Sequence, residues 1–218
     1  MLSERLQRIL TKSEGEREII KFLAKHPEIV RWAFCLTGGH STYVLKEFPF
    51  GSRYRADFVV PMSYSGAWEV HMIELEPPRD RVINKDGTPS KKLNKAIAQI
   101  HDWAAYIERN PYQIRKDLSD RCIKHDLLGI HGKYSPPSNY TGDLLSDPET
   151  YINYIYHIVI GRRENVDKEQ RKKMNQYSGG MLIDVCTYGR FIDIASNFDQ
   201  YHSNPTRGVC LTDTQERS

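Results

Sequence analysis

The sequence predicts an α/β fold, one mixed sheet with helices packed over it, and three observations carry that prediction. Strand-like and helix-like runs alternate along the chain instead of separating into two halves. Three strand signals cluster early, at 42–45, 55–60 and 68–76, while the later ones at 154–160 and 181–187 are separated by helical stretches. The 218 residues are 39% hydrophobic and 27% charged, which suits one domain with a core large enough to need no cross-links.

Taken in order, residues 4–10 and 16–25 read as helical, the second with an apolar stripe of Ile19, Ile20, Phe22 and Leu23. Ser13 followed by Glu16 resembles a capping box that would open it. His26-Pro27 should end or re-aim that helix, because proline disfavours helical geometry in the residue before it. Another helical turn follows from Glu28 to Phe34, and Gly38-Gly39 breaks the pattern. The second strand closes at Pro61, and a turn at 63–66 leads into the third. Pro77-Pro78 stops that strand, since proline cannot continue the ladder. Residues 79–91 form a polar loop with a tight turn at Asp86-Gly87. A long helix is expected over 92–109, with Leu93, Ile97, Ile100, Ala104 and Ile107 on one apolar face and Ala96, Gln99, Trp103 and Tyr106 beside it. Asn110-Pro111 ends it, and 111–150 gives little beyond loop signals around Pro136-Pro137 and Pro148. A charged helix is expected over 167–177 and a short one around 190–196.

Composition removes several function classes. No apolar run approaches the 18 or so residues of a membrane span. The charged start, MLSERLQRILTKSEGE, does not read as a signal peptide, so the expectation is a cytoplasmic protein with no membrane partner. Cys35, Cys122, Cys186 and Cys210 form no CxxC pair and read as free thiols, and the eight histidines show no HExxH spacing. A net charge of +3 and a pI near 8.6 permit nucleic-acid binding without requiring it.

Three carboxylates carry the chemistry. Glu74 and Glu76 lie two apart in a strand and so project to one face, while Ile73 and Leu75 project to the other. Asp57 sits in the preceding strand among Ala56, Phe58 and Val59. Singly, a strand Asp or a Glu-x-Glu triplet marks a solvated edge. If the strands pair, the three converge, and carboxylates brought together repel unless a cation lies between them. Mg²⁺ prefers oxygen ligands and takes one or two carboxylates. It can activate water and offset charge on a phosphate, which is the logic of phosphodiester hydrolysis.

The pattern resembles the PD-(D/E)xK nuclease superfamily and, more narrowly, the Shedu family of anti-phage defence nucleases. The residues that carry the likeness are His26-Pro27-Glu28, Tyr54-Arg55-Ala56-Asp57-Phe58, Ile73-Glu74-Leu75-Glu76-Pro77-Pro78, Ala96-x-x-Gln99-x-x-x-Trp103 and Thr187-Tyr188-Gly189-Arg190. The resemblance covers about residues 14–196. It implies a restriction-endonuclease-like mixed central sheet flanked by helices, with an N-terminal helical extension at 1–13, a nuclease domain at 14–200 and a polar tail at 201–218. It implies metal binding by Asp57 and Glu74, with Glu16 as a further acidic ligand, and Mg²⁺ or Mn²⁺ as the ion. Asp57, Glu74, Glu76 and Gln99 are the catalytic candidates, and Glu76 departs from the pattern by standing where the superfamily has lysine. Lys91, Lys92 or Lys95 is a possible replacement for that lysine. Arg79, Arg81, Lys91 and Lys92 are candidates for gripping DNA phosphates, and Arg162, Arg163, Arg171, Lys172 and Lys173 form a second basic cluster. Trp103 reads as core packing. DNA is the implied substrate, with homo-oligomeric assembly and a regulatory partner. The alternative left open by Glu76 is a catalytically silent nucleic-acid-binding module.

Overall fold

A computed structural model describes residues 1–35, 39–131, 135–177 and 183–203. Helices α1 (Leu2–Lys12), α2 (Arg17–Ala24) and α3 (Pro27–Phe34) precede strands β1 (Leu45–Phe50), β2 (Tyr54–Ser63) and β3 (Ala67–Leu75). Helices α4 (Lys91–Arg109) and α5 (Pro111–His125) then lead to β4 (Tyr151–Val159). After a 3-10 turn at Arg163–Asn165 come α6 (Lys168–Gln176), β5 (Ile183–Cys186) and α7 (Gly189–Ser203).

The five strands lie in sequence order in one sheet. β1, β2 and β3 pair antiparallel through short connections, whereas β3, β4 and β5 run parallel. Parallel neighbours need long crossovers, and α4 with α5, then α6, supply them. One face of the sheet packs against α4, α5 and α6 through Trp68, Val70, Met72, Leu93, Ile100, Trp103, Leu118 and Met174. The other packs against α1, α2, α3 and α7 through Phe58, Val60, Ile73, Leu6, Leu23, Ile29 and Phe191. Alternation along each strand divides its residues between these two cores.

Several expectations shift on contact with the tertiary structure. The first strand forms at 45–50 instead of 42–45, which is held only by a bridge from Thr42 to Met62 and by Tyr43 N donating to Pro61 O. Pro49 is tolerated because β1 is an edge. Glu16 is itself the N-cap of α2, and Ser13 instead caps the end of α1, so the expected capping box is absent. Pro27 opens α3 at its first turn, and Pro111 does the same for α5. The helix at 111–125 escaped the sequence reading, although Ile114, Leu118 and Cys122 recur every four residues on its buried face. On α4 the buried residues are Leu93, Ala96, Ile100, Trp103 and Ile107, so Ala96 and Trp103 belong to the core face and Ile97 only borders it. The last helix runs to Ser203, beyond the expected start of the tail, and residues 204–218 lie outside the described residues, as do Gly38, Met181 and Leu182. No helix among the described residues is long and apolar enough to cross a membrane. Cys35, Cys122 and Cys186 are free and buried.

A buried polar chain crosses the sheet on the α3 and α7 side. His71 Nδ1 lies 2.9 Å from His157 Nε2, and His157 Nδ1 lies 3.2 Å from Asp184 Oδ2. Burial drives His71 down to about 3 and lowers His157, so both rings are neutral near pH 7. With Asp184 as an acceptor, His157 carries its proton on Nδ1 and accepts from His71 Nδ1–H. Sequence spacing could not pair these rings, because they meet across strands.

The helix expected as an extension is part of the second core. Leu6 and Leu10 of α1 are fully buried there, and Asp199 of α7 accepts from Leu2 N and from the Ser3 backbone and hydroxyl. Leu6→Ala should therefore destabilise the whole fold by about 2–5 kcal/mol. Urea unfolding would read it as a lower midpoint. A single transition at the wild-type midpoint would mean that α1 is an appendage.

Candidate active site

The carboxylate cluster is set by the β2–β3 register. The β2–β3 ladder ends at the pair Phe58↔Ile73, and Asp57 and Glu74 are the next residue of each strand. Glu74 continues the alternation of Val70 and Met72 and so projects to the α4 side. Asp57 Oδ2 accepts from Leu75 N at 2.8 Å, so its carboxylate takes the place of a ladder acceptor at the end of β3. Gln99 reaches over from α4, and its Nε2 donates to Glu74 Oε1 at 2.8 Å. Helix α4 is capped at its start by Ser90, whose hydroxyl accepts from Leu93 N, which helps to fix the register of Gln99 over the sheet.

Glu76 follows β3 and stays on the sheet's edge through its backbone. Its N–H donates to Val159 O at 2.8 Å, and its carbonyl accepts from the Tyr188 hydroxyl at 2.9 Å. Its side chain faces Lys92 Nζ at 3.5 Å. Tyr188 is fully buried beneath this corner, and its hydroxyl pKa is driven well up by burial and by the nearby charges of Asp57, Glu16 and Glu76. Glu47 completes the acidic surround, across β1–β2 between the paired residues Lys46↔Phe58 and Phe48↔Ala56. It holds a positive φ of 50°.

These acids share one field. Burial is the main reason that Asp57 is pushed up to about 7, against the opposing Leu75 N–H, with Glu16, Glu47 and Glu76 adding repulsion. Glu74 is pushed up to about 9, again by burial first and then by Asp57 and Glu76, with Gln99 pulling the other way. Glu76 is raised by burial, and Lys92 partly offsets this. The half-buried carboxylates of Asp57 and Glu74 are a hard-oxygen donor set of the kind that suits Mg²⁺ or Mn²⁺. Among the described residues no group of three or more His, Cys, Asp or Glu side chains is arranged to hold an ion by itself. Mg²⁺ does not need one, since it keeps several waters and uses one or two carboxylates. Asp57 and Glu74 are the two that could do so.

The other expected residues fall in different places. Glu16, at the start of α2, is close enough to act electrostatically on Asp57, Glu74 and Glu76. Arg79 is engaged elsewhere, donating to Thr11 O and Lys12 O at the end of α1. Arg81 and Lys91 are exposed, with no hydrogen bond or ion pair among the described residues. Lys92 lies beside the carboxylates, 3.5 Å from Glu76 Oε2, with its side chain half-exposed. Trp103 is fully buried against Phe50. Tyr188 stood in the Thr187–Arg190 motif without a place in the cluster, and Glu47 was not singled out, because both arrive from other elements.

The raised carboxylates have a consequence for stability. Above neutrality the unfolded chain has released protons that native Glu74 still holds, so stability falls as pH rises from about 7 towards 9. Buried His71 and His157 act in the opposite sense, but only at acid pH. The metal-free wild-type protein should therefore lose thermal midpoint over that window more steeply than Glu74→Gln. Parallel curves for the two proteins would mean that Glu74 is an ordinary ionised carboxylate.

Comparison with known proteins follows the same residues. No curated protein matches the chain. The family described as Shedu protein SduA, C-terminal, matches residues 13–192, a span that contains Glu16, Asp57, Glu74, Glu76, Gln99 and Tyr188. Membership of that family points to anti-phage defence and to nuclease chemistry. With the match extending over most of its length and over every carboxylate of the cluster, this chain belongs to the Shedu family.

Proposed function

We propose that the chain is a Mg²⁺- or Mn²⁺-dependent endodeoxyribonuclease that hydrolyses DNA phosphodiesters in defence against phage. The observation that carries this reading is the pair of half-buried carboxylates, Asp57 and Glu74, held by Leu75 N–H and by Gln99. They would hold the ion, which would offset charge on the attacked phosphate and acidify water. Leu75 N–H orients Asp57 and Gln99 orients Glu74, so one oxygen of each carboxylate is held in place. Glu76 would serve as the base that takes a proton from the attacking water. Lys92 has two roles: it favours the charged form of Glu76, and its half-exposed ammonium can donate to a phosphate oxygen. Lys92 thus answers the missing motif lysine from the neighbouring helix. Homo-oligomeric assembly, a regulatory partner and a cytoplasmic setting belong to the same reading and rest on the family.

The second reading, a silent nucleic-acid-binding module, is favoured by Glu76 standing where the superfamily has lysine. Cleavage of supercoiled and linear DNA with Mg²⁺ or Mn²⁺, beside EDTA and Glu74→Ala, separates the two. Cutting that needs metal and vanishes in Glu74→Ala is the expected result. No cutting by wild type, with activity appearing in Glu76→Lys, would establish the silent module.

A finer prediction concerns Lys92. Removing it should raise the pKa of Glu76 further, so Lys92→Ala should lower kcat by about 10²-fold and move the acidic limb of the pH–rate profile upward. An unmoved limb would remove Lys92 from the mechanism.

A further inference from the structure

The catalytic reading leaves unused the second basic cluster, part of which forms a cavity. This cavity, of about 210 Å³, lies between β5, α6 and the first turn of α7. Arg163, Arg171 and Arg190 line it with the Thr187 hydroxyl, over a floor that includes Val185 and Met174. No acidic side chain lines it. Two carboxylates outside the lining hold two of the arginines in place. Asp193 takes Arg163 through both Nη atoms, and Asp184 takes Arg190 Nη1 at 2.5 Å while also meeting His157. Arg171 has no ion pair among the described residues. Three guanidinium groups against two carboxylates leave one positive charge unanswered. Gly189 makes room for this arrangement, since a Cβ there would stand 2.7 Å from Arg163 Nε. The remaining basic residues of the cluster do not enter the lining, and Arg162 and Lys172 pair with Glu164 and Glu169.

The cavity and the carboxylates occupy the same edge of the sheet. Tyr188, whose hydroxyl meets Glu76 O, lies between Thr187 and Gly189, and its N–H donates to Gly161 O just past β4. β3 and β5 are two strand spacings apart, about 10 Å. A subsite at that end of β5 would meet a phosphate beyond the one beside the carboxylates. Arginine forks suit phosphate oxygens better than lysine does.

We propose that this arginine-lined cavity is a phosphate-ester subsite that grips the nucleic-acid backbone at a phosphate beyond the one beside Asp57 and Glu74. The inference rests on the nuclease reading only for which strand lies there. A free phosphate ester offers the same oxygens, and the experiment separates the two sources.

The test is DNA binding by the full chain in EDTA, followed by fluorescence anisotropy on labelled duplex and single strands from about 50 to 200 mM salt. Arg171→Gln removes the unpaired arginine without breaking an ion pair, and Arg163→Gln is the second variant. Each should lower the slope of log affinity against log salt by about 0.9 on duplex or 0.7 on single strands, and weaken binding about threefold at the high-salt end. The thermal midpoint of Arg171→Gln should not move. An unchanged slope in folded Arg171→Gln would overturn the subsite. In parallel, wild type and Arg171→Gln are titrated with inorganic phosphate and with a nucleoside monophosphate. Saturable binding of either that is lost in Arg171→Gln, with the DNA slope unchanged, would overturn the strand occupant and give the cavity to a free phosphate ester. Cleavage assayed on the same samples keeps the two proposals apart. A lowered slope without cutting supports the subsite in a silent module, and cutting with an unchanged slope rejects the subsite alone.

Discussion

The antiparallel register between β2 and β3 governs this molecule, because it decides which acids meet. Pairing of Phe58 with Ile73 ends the ladder beside Asp57 and Glu74, bringing the two acids together, and leaves Phe58, Ile73 and Leu75 for the opposite core. A slip of one residue would turn every side chain of a strand over. The carboxylates would then enter the core under α1, α3 and α7, and the aromatic and aliphatic residues would line the cleft. Burial on both faces of the sheet makes such a slip costly, so the same apolar residues that stabilise the fold also hold the acids in place.

That placement has a cost, and neighbouring elements contain it. Clustered carboxylates are poorly tolerated away from water unless they are hydrogen-bonded or neutralised. Here Leu75 N–H, Gln99 and Lys92 each compensate one acid, and protonation accounts for the rest. The elevated pKa values of Asp57 and Glu74 record how incomplete the protein's own compensation is. Such a site is destabilised by its own charge. Local strain of this kind is characteristic of sites selected for chemistry over stability.

The parallel half of the sheet adds what the antiparallel half lacks. It brings Tyr188 under Glu76, and it sets the ends of β4 and β5 beside the same edge. The polar chain from His71 through His157 to Asp184 ends on Arg190, so a buried network on one face steadies a guanidinium at the rim. The acidic and basic groups thus lie along one edge.

Much of this was legible in the sequence. Alternation in Trp68–Glu76 identified a strand with two faces, and the acid pair Glu74 and Glu76 could be assigned to one of them without any coordinates. Proline positions bounded the helices and β3, because a missing N–H and a fixed φ act locally. The mixed α/β class and the candidate acids Asp57 and Glu74 followed from the same short-range rules. What remained hidden was non-local. The helix at 111–125 was obscured by its many charges and by a proline that opens a helix as readily as it ends one. The α4 face was turned by the size of Trp103, since the core selects area as well as spacing. Lys92 against Glu76, Tyr188 beneath it, Glu47 beside Asp57 and the pairing of His71 with His157 all join residues far apart in the chain or on different strands. Only the folded sheet decides which of them share a face, because periodicity gives the direction of a side chain relative to its own strand and says nothing of what the next strand brings opposite.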